Sequence, residues 1–160
     1  MDKLAKEILK GVTLEEIAPR APRQPLVDHW PPAILLERAA YLKELARFGD
    51  GSASETLREY PQHFAMLSFR SRDGEAEVHQ NFADLFFVLA GAATLMTGGT
   101  VTRARTVGPG ETRGDSIEGG TRQELKAGDV AHVLAGLPHQ MLVAAEKTVT
   151  CFVMKIREAG

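Results

Sequence analysis

The spacing of apolar residues changes once along the chain, near residue 50. From Ala33 to Phe48 apolar side chains recur every three or four residues, as on one face of an amphipathic helix, and Gly49 is placed to end it. After that point, short runs rich in β-branched, aromatic and apolar residues alternate with glycine-containing turns. The pattern therefore predicts one helix followed by a β-rich region.

The β-rich region contains the runs that we predict as strands: 63–70, 75–79, 84–91, 92–99, 128–136, 139–144 and 148–156. Short strands joined by tight turns are typical of an antiparallel sandwich or barrel. Residues 100–124 are rich in arginine and glycine and have weak strand character. We predict a long exposed excursion there, or a hairpin.

The N-terminal part differs from the β-rich region in its helical periodicity and its proline content. Two short helices are predicted at its start, the second from the capping-box pattern of Thr13 and Glu16. Residues 19–32 hold five of the eight prolines, which predicts an extended arm because proline lacks an amide donor. We therefore assign 1–56 to N-terminal helices and a proline-rich arm, and 57–160 to a barrel.

Composition and charge exclude several classes of protein. Lys plus Arg (19) against Asp plus Glu (21) gives a net charge of -2, without the basic excess that nucleic-acid binding requires. The apolar runs are far shorter than the roughly 20 residues of a membrane span, so we expect no membrane partner. Cys151 is the one cysteine, and we expect a cytoplasmic protein with a reduced thiol, buried and inert in its apolar strand.

Acidic and histidine residues recur in the predicted strands and turns. Glu75, Glu77 and His79 alternate with apolar residues and so share one face of a strand, which simple exposure to water would also explain. Asp84 begins the next run, where a role in the turn is the alternative. His139 follows Pro138, a position that also suits a partly buried loop histidine. Each residue alone leaves its role open.

The spacing of these residues is more informative. Residues 77–91 run acid, one residue, histidine, four residues, acid, six residues, glycine; residues 128–139 run glycine, five residues, Leu-Ala-Gly, two residues, histidine. This resembles the two signature motifs of the cupin superfamily and covers about residues 74–140. The resemblance implies a small, single-domain, RmlC-like cupin. Its fold class would be all-β, a double-stranded antiparallel β-barrel (jelly roll) with an N-terminal helical segment and an extended arm.

The resemblance also implies a ligand set. Counting back from Gly91, Glu77 and His79 occupy the positions of the family's two histidines and Asp84 that of its glutamate, while His139 matches the histidine of the second motif. Imidazoles and carboxylates together suit a divalent transition metal ion, which would be Fe, Mn, Zn, Ni or Cu.

The chain departs from the family pattern at two positions. Glu77 replaces the first histidine, and Leu134 replaces the proline of the second motif, which removes a turn constraint but no ligand. A register that starts at His79 would make Asn81 the second ligand. We favour Glu77 with His79, because asparagine is a poor ligand for transition metals.

A cupin barrel would enclose a cavity for a small molecule. The candidates to line it are Met66, Phe86, Val88, His132, Met141, Phe152 and Met154. Ordinary core packing is the competing interpretation for the apolar members. For His132, strand alternation does not tell which face of its strand is inside.

We therefore expect a small metal-binding cupin that binds or transforms a small organic molecule such as an organic acid, a sugar or an aromatic compound. If it is an enzyme, a metal-dependent oxygenase or isomerase is expected. The alternative is a metal-free cupin that binds or senses a small molecule, because the histidine is missing at position 77. We also expect a homodimer, since cupins pair through their sheets and the arm around Trp30 has little core of its own.

Overall fold

The computed structural model describes residues 27–158. The helices predicted near the N-terminus and the first part of the arm lie outside the described residues. Helix α1, Pro32–Arg47, matches the predicted helix to within one residue at each end. Proline is tolerated in its first turn, where amides have no partner within the helix. No helix within 27–158 combines the length and hydrophobicity that crossing a membrane requires.

One stripe of α1 is buried, formed by Leu35, Ala39, Leu42 and Ala46 at spacings of three and four. The helix packs against the first two strands, β1 and β2, which run over Ser52–Glu59 and His63–Arg70. Ala65, Leu67 and Phe69 share one face of β2, and all three are buried.

Ten further strands follow within the described part of the chain: β3 Ala76–His79, β4 Phe82–Thr97, β5 Thr100–Val101, β6 Arg105–Gly108, β7 Glu111–Gly114, β8 Ile117–Glu118, β9 Thr121–Lys126, β10 Val130–Val133, β11 His139–Leu142 and β12 Val149–Arg157. All pairings are antiparallel, and the sheet order is β1-β2-β12-β4-β11-β3-β7-β6. β9 and β10 pair with β4, and β5 pairs with β8. The predicted all-β antiparallel architecture is confirmed.

Strand β4 belongs to both halves of the barrel. Its first half lies between β12 and β10, and its second half between β9 and β11. Strand β4 passes from one half of the barrel to the other at Gly91, which has a φ of +78°. A Cβ at this position would lie only 1.9 Å from the carbonyl oxygen of Thr148. Only glycine fits there. The runs predicted as two strands, 84–91 and 92–99, are therefore one bent strand.

Two parts of the chain differ from the prediction. Residues 100–124 contain a hairpin, β6 with β7, as one of the two predicted alternatives had it, but they belong to the barrel and are not an excursion: β7 pairs with all of β3, and β9 pairs with the second half of β4. Their strand character is weak in the sequence because most side chains of β9 are polar and exposed. β1 was not predicted, since it is polar along its length, and it runs across the predicted domain boundary between residues 56 and 57.

The largest apolar cluster is contributed by β4, β9, β10, β11, the residue that follows β11, and β12. Its buried members are Val88, Ala93, Leu95, Leu125, Val133, Met141, Val143, Val149, Cys151 and Val153. Burial raises the pKa of the Cys151 thiol to about 12, so the thiol is protonated at neutral pH. The predicted buried, inert cysteine agrees with this position.

Candidate functional site

Three strands bring together the four residues predicted as ligands. Glu77 and His79 share one face of β3, Asp84 lies near the start of β4, and His139 begins β11 directly opposite Glu77. One ligand atom from each of the four residues lies within 4.8 Å of the other three. We call these four residues the ligand cluster.

Nitrogen and oxygen atoms alternate around the ligand cluster. The neighbouring pairs are His79 Nε2 with Glu77 Oε2 at 3.3 Å, His79 Nε2 with Asp84 Oδ2 at 3.7 Å, His139 Nε2 with Asp84 Oδ2 at 3.3 Å, and His139 Nε2 with Glu77 Oε2 at 3.6 Å. Ligand atoms about 2.0–2.2 Å from one ion stand at such mutual separations. The cluster thus has the size of a site for a transition metal ion.

Two atoms of the cluster are buried without a hydrogen-bond partner among the described residues: Asp84 Oδ1 and His139 Nε2. His139 Nδ1 lies 3.1 Å from the carbonyl oxygen of Leu137, which can only accept, so Nδ1 carries the ring proton. Nε2 is then a bare acceptor facing a carboxylate. A buried acceptor without a partner costs about 1–3 kcal/mol, and a cation among these atoms would remove that cost.

Glu111 on β7 orients the ring of His79. Its Oε2 lies 2.5 Å from His79 Nδ1, which fixes the ring proton there and turns a bare Nε2 toward the cluster. Burial lowers the pKa of His79, the charge of Lys155 lowers it further, and the nearby carboxylates only partly oppose the shift. The neutral imidazole, which is the form that binds metals, is therefore favoured.

Arg113 holds the remaining carboxylate of the cluster. It pairs with Glu77 across the β3–β7 register and forms an ion pair with Glu77 Oε1, so that Oε2 faces the histidines. Burial lowers the pKa of Arg113. The ion pair fixes the orientation that the cluster requires.

Lys155 on β12 was missed in the sequence. Its Nζ lies 2.5 Å from Asp84 Oδ2 and 2.9 Å from His79 Nε2. Burial lowers the pKa of Lys155, and Asp84 opposes the shift. Burial would raise the pKa of Asp84, but the pKa is lowered overall, and the charge and hydrogen bond of the Lys155 ammonium contribute to that lowering. The cluster thus already contacts two positive side chains of the protein itself, Arg113 and Lys155.

A cavity of about 390 Å³ opens beside the cluster. Its wall includes Glu77, Asp84, His139 and Lys155, and three of the predicted lining residues, Met66, Phe86 and Met141. Arg70 also lies in this wall, and no hydrogen bond or ion pair joins its guanidinium to another described residue. Gly74 makes room for it, since a Cβ there would lie 2.9 Å from Arg70 Nη1.

The other predicted lining residues lie elsewhere. Phe152 and Met154 are on the opposite face of β12 from Val153, which lines the cavity. Alternation along this strand does not determine which of its faces is inside, because both faces are apolar. His132 is exposed, and Val88 is buried in the apolar cluster. The prediction that these four residues line the cavity is therefore corrected, since none of them belongs to its wall.

The motifs of the sequence contained no signal for Glu111, Arg113, Lys155 or Arg70. Glu111 and Arg113 come from the region predicted as an excursion, and Lys155 and Arg70 come from strands outside both motifs. The one signal for Lys155 is alternation: it follows Val149, Cys151 and Val153 on the same face of β12.

No family model matches the sequence, and no curated protein matches it either. Solved structures do match. The cupin domain of Cnp3 from Schizosaccharomyces pombe aligns with a TM-score of 0.51 at 12% identity, covering 67% of this chain and 65% of that one. KdgF from Halomonas sp. aligns at 0.50 and 13%, covering 69% and 83%. A predicted oxalate decarboxylase from Thermotoga maritima aligns at 0.50 and 11%, covering 67% and 81%. At these identities the likeness concerns the fold, and this chain has the cupin fold.

Proposed function

We propose that this protein is a small metal-binding cupin whose ligand cluster holds one divalent transition metal ion beside a cavity for a small organic molecule. The observation that supports it best is the pair of buried acceptors without partners, Asp84 Oδ1 and His139 Nε2, within a cluster of metal-binding groups. Fe, Mn, Zn, Ni and Cu all suit this mixed nitrogen and oxygen set.

The residues around the cluster divide the work of the proposed site. Glu111 fixes the ring of His79, and Arg113 fixes the carboxylate of Glu77. A bound metal ion would supply Lewis acidity or a meeting point for dioxygen and substrate. Oxygenase or isomerase chemistry stays the expected class of reaction if the protein is an enzyme.

The cavity favours an organic acid as the small molecule. Arg70 is partly buried in the wall and makes no ion pair with a described residue, and a carboxylate is one of the groups that a guanidinium binds through two parallel hydrogen bonds. Met66, Phe86 and Met141 offer an apolar surface for the rest of such a molecule. The predicted oxalate decarboxylase among the similar structures is named for an acid of this class.

Metal analysis tests the proposal. Protein purified without chelator is expected to contain a transition metal or to take up about one equivalent of Mn²⁺, Ni²⁺, Zn²⁺ or Fe²⁺. Its melting temperature should rise with that ion, because binding to the native state alone stabilises it by about 2.7 kcal/mol at a hundredfold excess over the dissociation constant. Less than about a tenth of an equivalent of every metal, with no uptake on titration, contradicts it.

A metal-free binding module is the second candidate, and Lys155 favours it, because its ammonium already places a positive charge on the cluster. The same melts separate the two. A shift with a carboxylate such as succinate, but with no metal, supports the module. Arg70→Gln should abolish that shift and the exposed control Arg72→Gln should keep it.

We also propose that the protein is a homodimer. α1 and the residue that follows it leave a second apolar stripe exposed, with Ile34, Tyr41, Leu45 and Phe48 all at least 46% accessible. Such a stripe is typical of a surface that a partner covers. Light scattering at micromolar concentration should give about twice the 17.4 kDa of one chain, and a species at the mass of one chain contradicts the dimer.

A further inference from the structure

Lys155 contacts the ligand cluster at the atoms that a metal ion would use. It extends from β12 beside the apolar side chains of Cys151 and Val153, and 14% of its side chain is exposed. Its Nζ lies 2.5 Å from Asp84 Oδ2 and 2.9 Å from His79 Nε2. Both of these atoms belong to the alternating set that defines the proposed metal site.

His79 Nε2 has room for one cation only. Glu111 accepts the proton of His79 Nδ1, so Nε2 has a single lone pair and no hydrogen. An ammonium has no acceptor, and its contact with Nε2 must use that lone pair. A metal ion bound through Nε2 needs the same lone pair. The two contacts are therefore mutually exclusive at this atom.

The positive charge of Lys155 also opposes binding of a metal ion. The ammonium is paired with Asp84, and Arg113 is paired with Glu77, so both carboxylates of the cluster already have a positive neighbour. A divalent ion beside the ammonium would meet a like charge in a buried site, where charges interact more strongly than in water. Binding of the ion thus requires that Lys155 first leave the cluster.

We propose that Lys155 is a tethered cation that occupies part of the metal site until a metal ion displaces it, and that it thereby lowers the affinity of the site for metal. This inference rests on the proposed metal-binding function and deepens it. It assigns to Lys155 the role of setting the metal concentration at which the site fills. It also gives the buried carboxylate of Asp84 a positive partner from the chain itself.

The test compares Zn²⁺ and Mn²⁺ affinities of four full-length proteins stripped of metal: wild type, Lys155→Met, Lys155→Arg and Lys126→Met. Competition with a chromophoric chelator at one fixed pH gives the dissociation constants. Lys155→Met keeps most of the apolar stem of the side chain and removes the charged Nζ, and it should bind at least about tenfold more tightly than wild type, equal to about 1.4 kcal/mol. Lys155→Arg keeps the charge and should not bind more tightly. Lys126 is exposed, and its variant should match wild type.

The outcomes separate this inference from the proposed function. If wild type binds metal and Lys155→Met binds equally or more weakly, the inference is wrong and the metal-binding function stands. If neither protein binds any metal, both are wrong. If only Lys155→Met binds, Lys155 excludes metal from the native site, which supports the inference and the metal-free module together. Lys155→Gln serves in the same comparison should Lys155→Met fail to fold by circular dichroism.

Discussion

The inside of this barrel has two regions of opposite character. In the apolar cluster, Leu95 and Val133 have no polar groups to satisfy, and their burial stabilises the fold directly. In the ligand cluster, His79, Asp84 and His139 are about as deeply buried, but Asp84 Oδ1 and His139 Nε2 have no hydrogen-bond partner among the described residues. The comparison shows that burial alone does not identify the residues that stabilise this protein. The two unpartnered acceptors of the ligand cluster cost stability, which fits the binding role proposed for the cluster.

The largest effect is expected in the apolar cluster. Leu95→Ala removes a side chain that is 3% exposed and should lower the free energy of unfolding by about 2–5 kcal/mol, because a cavity remains. Urea unfolding with a chelator present measures the loss. The exposed variant Leu134→Ala is the control and should change stability by less than about 0.5 kcal/mol. If Leu95→Ala is as stable as wild type, the apolar cluster does not stabilise the fold more than the ligand cluster does, and the comparison is wrong.

His139→Ala should have the opposite profile. The metal-free protein should lose less than about 1 kcal/mol, because the side chain faces a cavity and has an unsatisfied nitrogen. Bound metal should be lost. Metal titration and urea unfolding of one preparation measure both quantities. If the metal-free protein loses several kcal/mol, His139 is structural and its assignment as a ligand is wrong.

His79→Ala is a weaker test of the same idea. The two histidines have equivalent places in the motifs, but His79 forms hydrogen bonds with Glu111 and Lys155, whereas the one hydrogen bond of His139 to a described residue goes to the carbonyl of Leu137. Removing His79 leaves a buried ammonium with one partner fewer. We therefore expect a larger loss of stability for His79→Ala than for His139→Ala.

The smallest predicted effect concerns Glu111, which contacts the ligand cluster without being one of its four members. Glu111→Gln leaves all four proposed ligands in place but weakens the hold on His79, and it should lower metal affinity by about 10–100-fold. Stability without metal should change little. Glu118→Gln, at an exposed position of β8, is the matched control. Equal affinities for both variants would mean that Glu111 does not act on the site.

The sequence predicted the residues that lie in motifs and missed those that depend on pairing between distant strands. Glu77, His79, Asp84 and His139 were found because two local spacings, each within about fifteen residues, encode them. Lys155 reaches Asp84 only through the register of β12 on β4, and Arg113 reaches Glu77 only through that of β7 on β3. Such registers depend on tertiary packing, which no local pattern contains.

The residues that line the cavity were also only partly predictable from the sequence. On β12 both sets of alternating residues are apolar, so Phe152 and Met154 were assigned to the inside although Cys151 and Val153 occupy it. On β2 the inward phase of Met66 was predicted, and Arg70, two positions beyond Ser68 on the same face, was not considered. Alternation defines two faces of a strand, and only its neighbours decide which face is inside.

The bend at Gly91 has a consequence for folding. Asp84 lies before the bend, in the half of β4 that pairs with β12, and the half after the bend pairs with β11, which begins at His139. The ligand cluster therefore assembles only when both halves of the barrel have formed around one continuous strand. Residues 71 positions apart in the chain, Asp84 and Lys155, meet there. Such non-local contacts form late in folding, so occupancy of the cluster would report completion of the whole barrel.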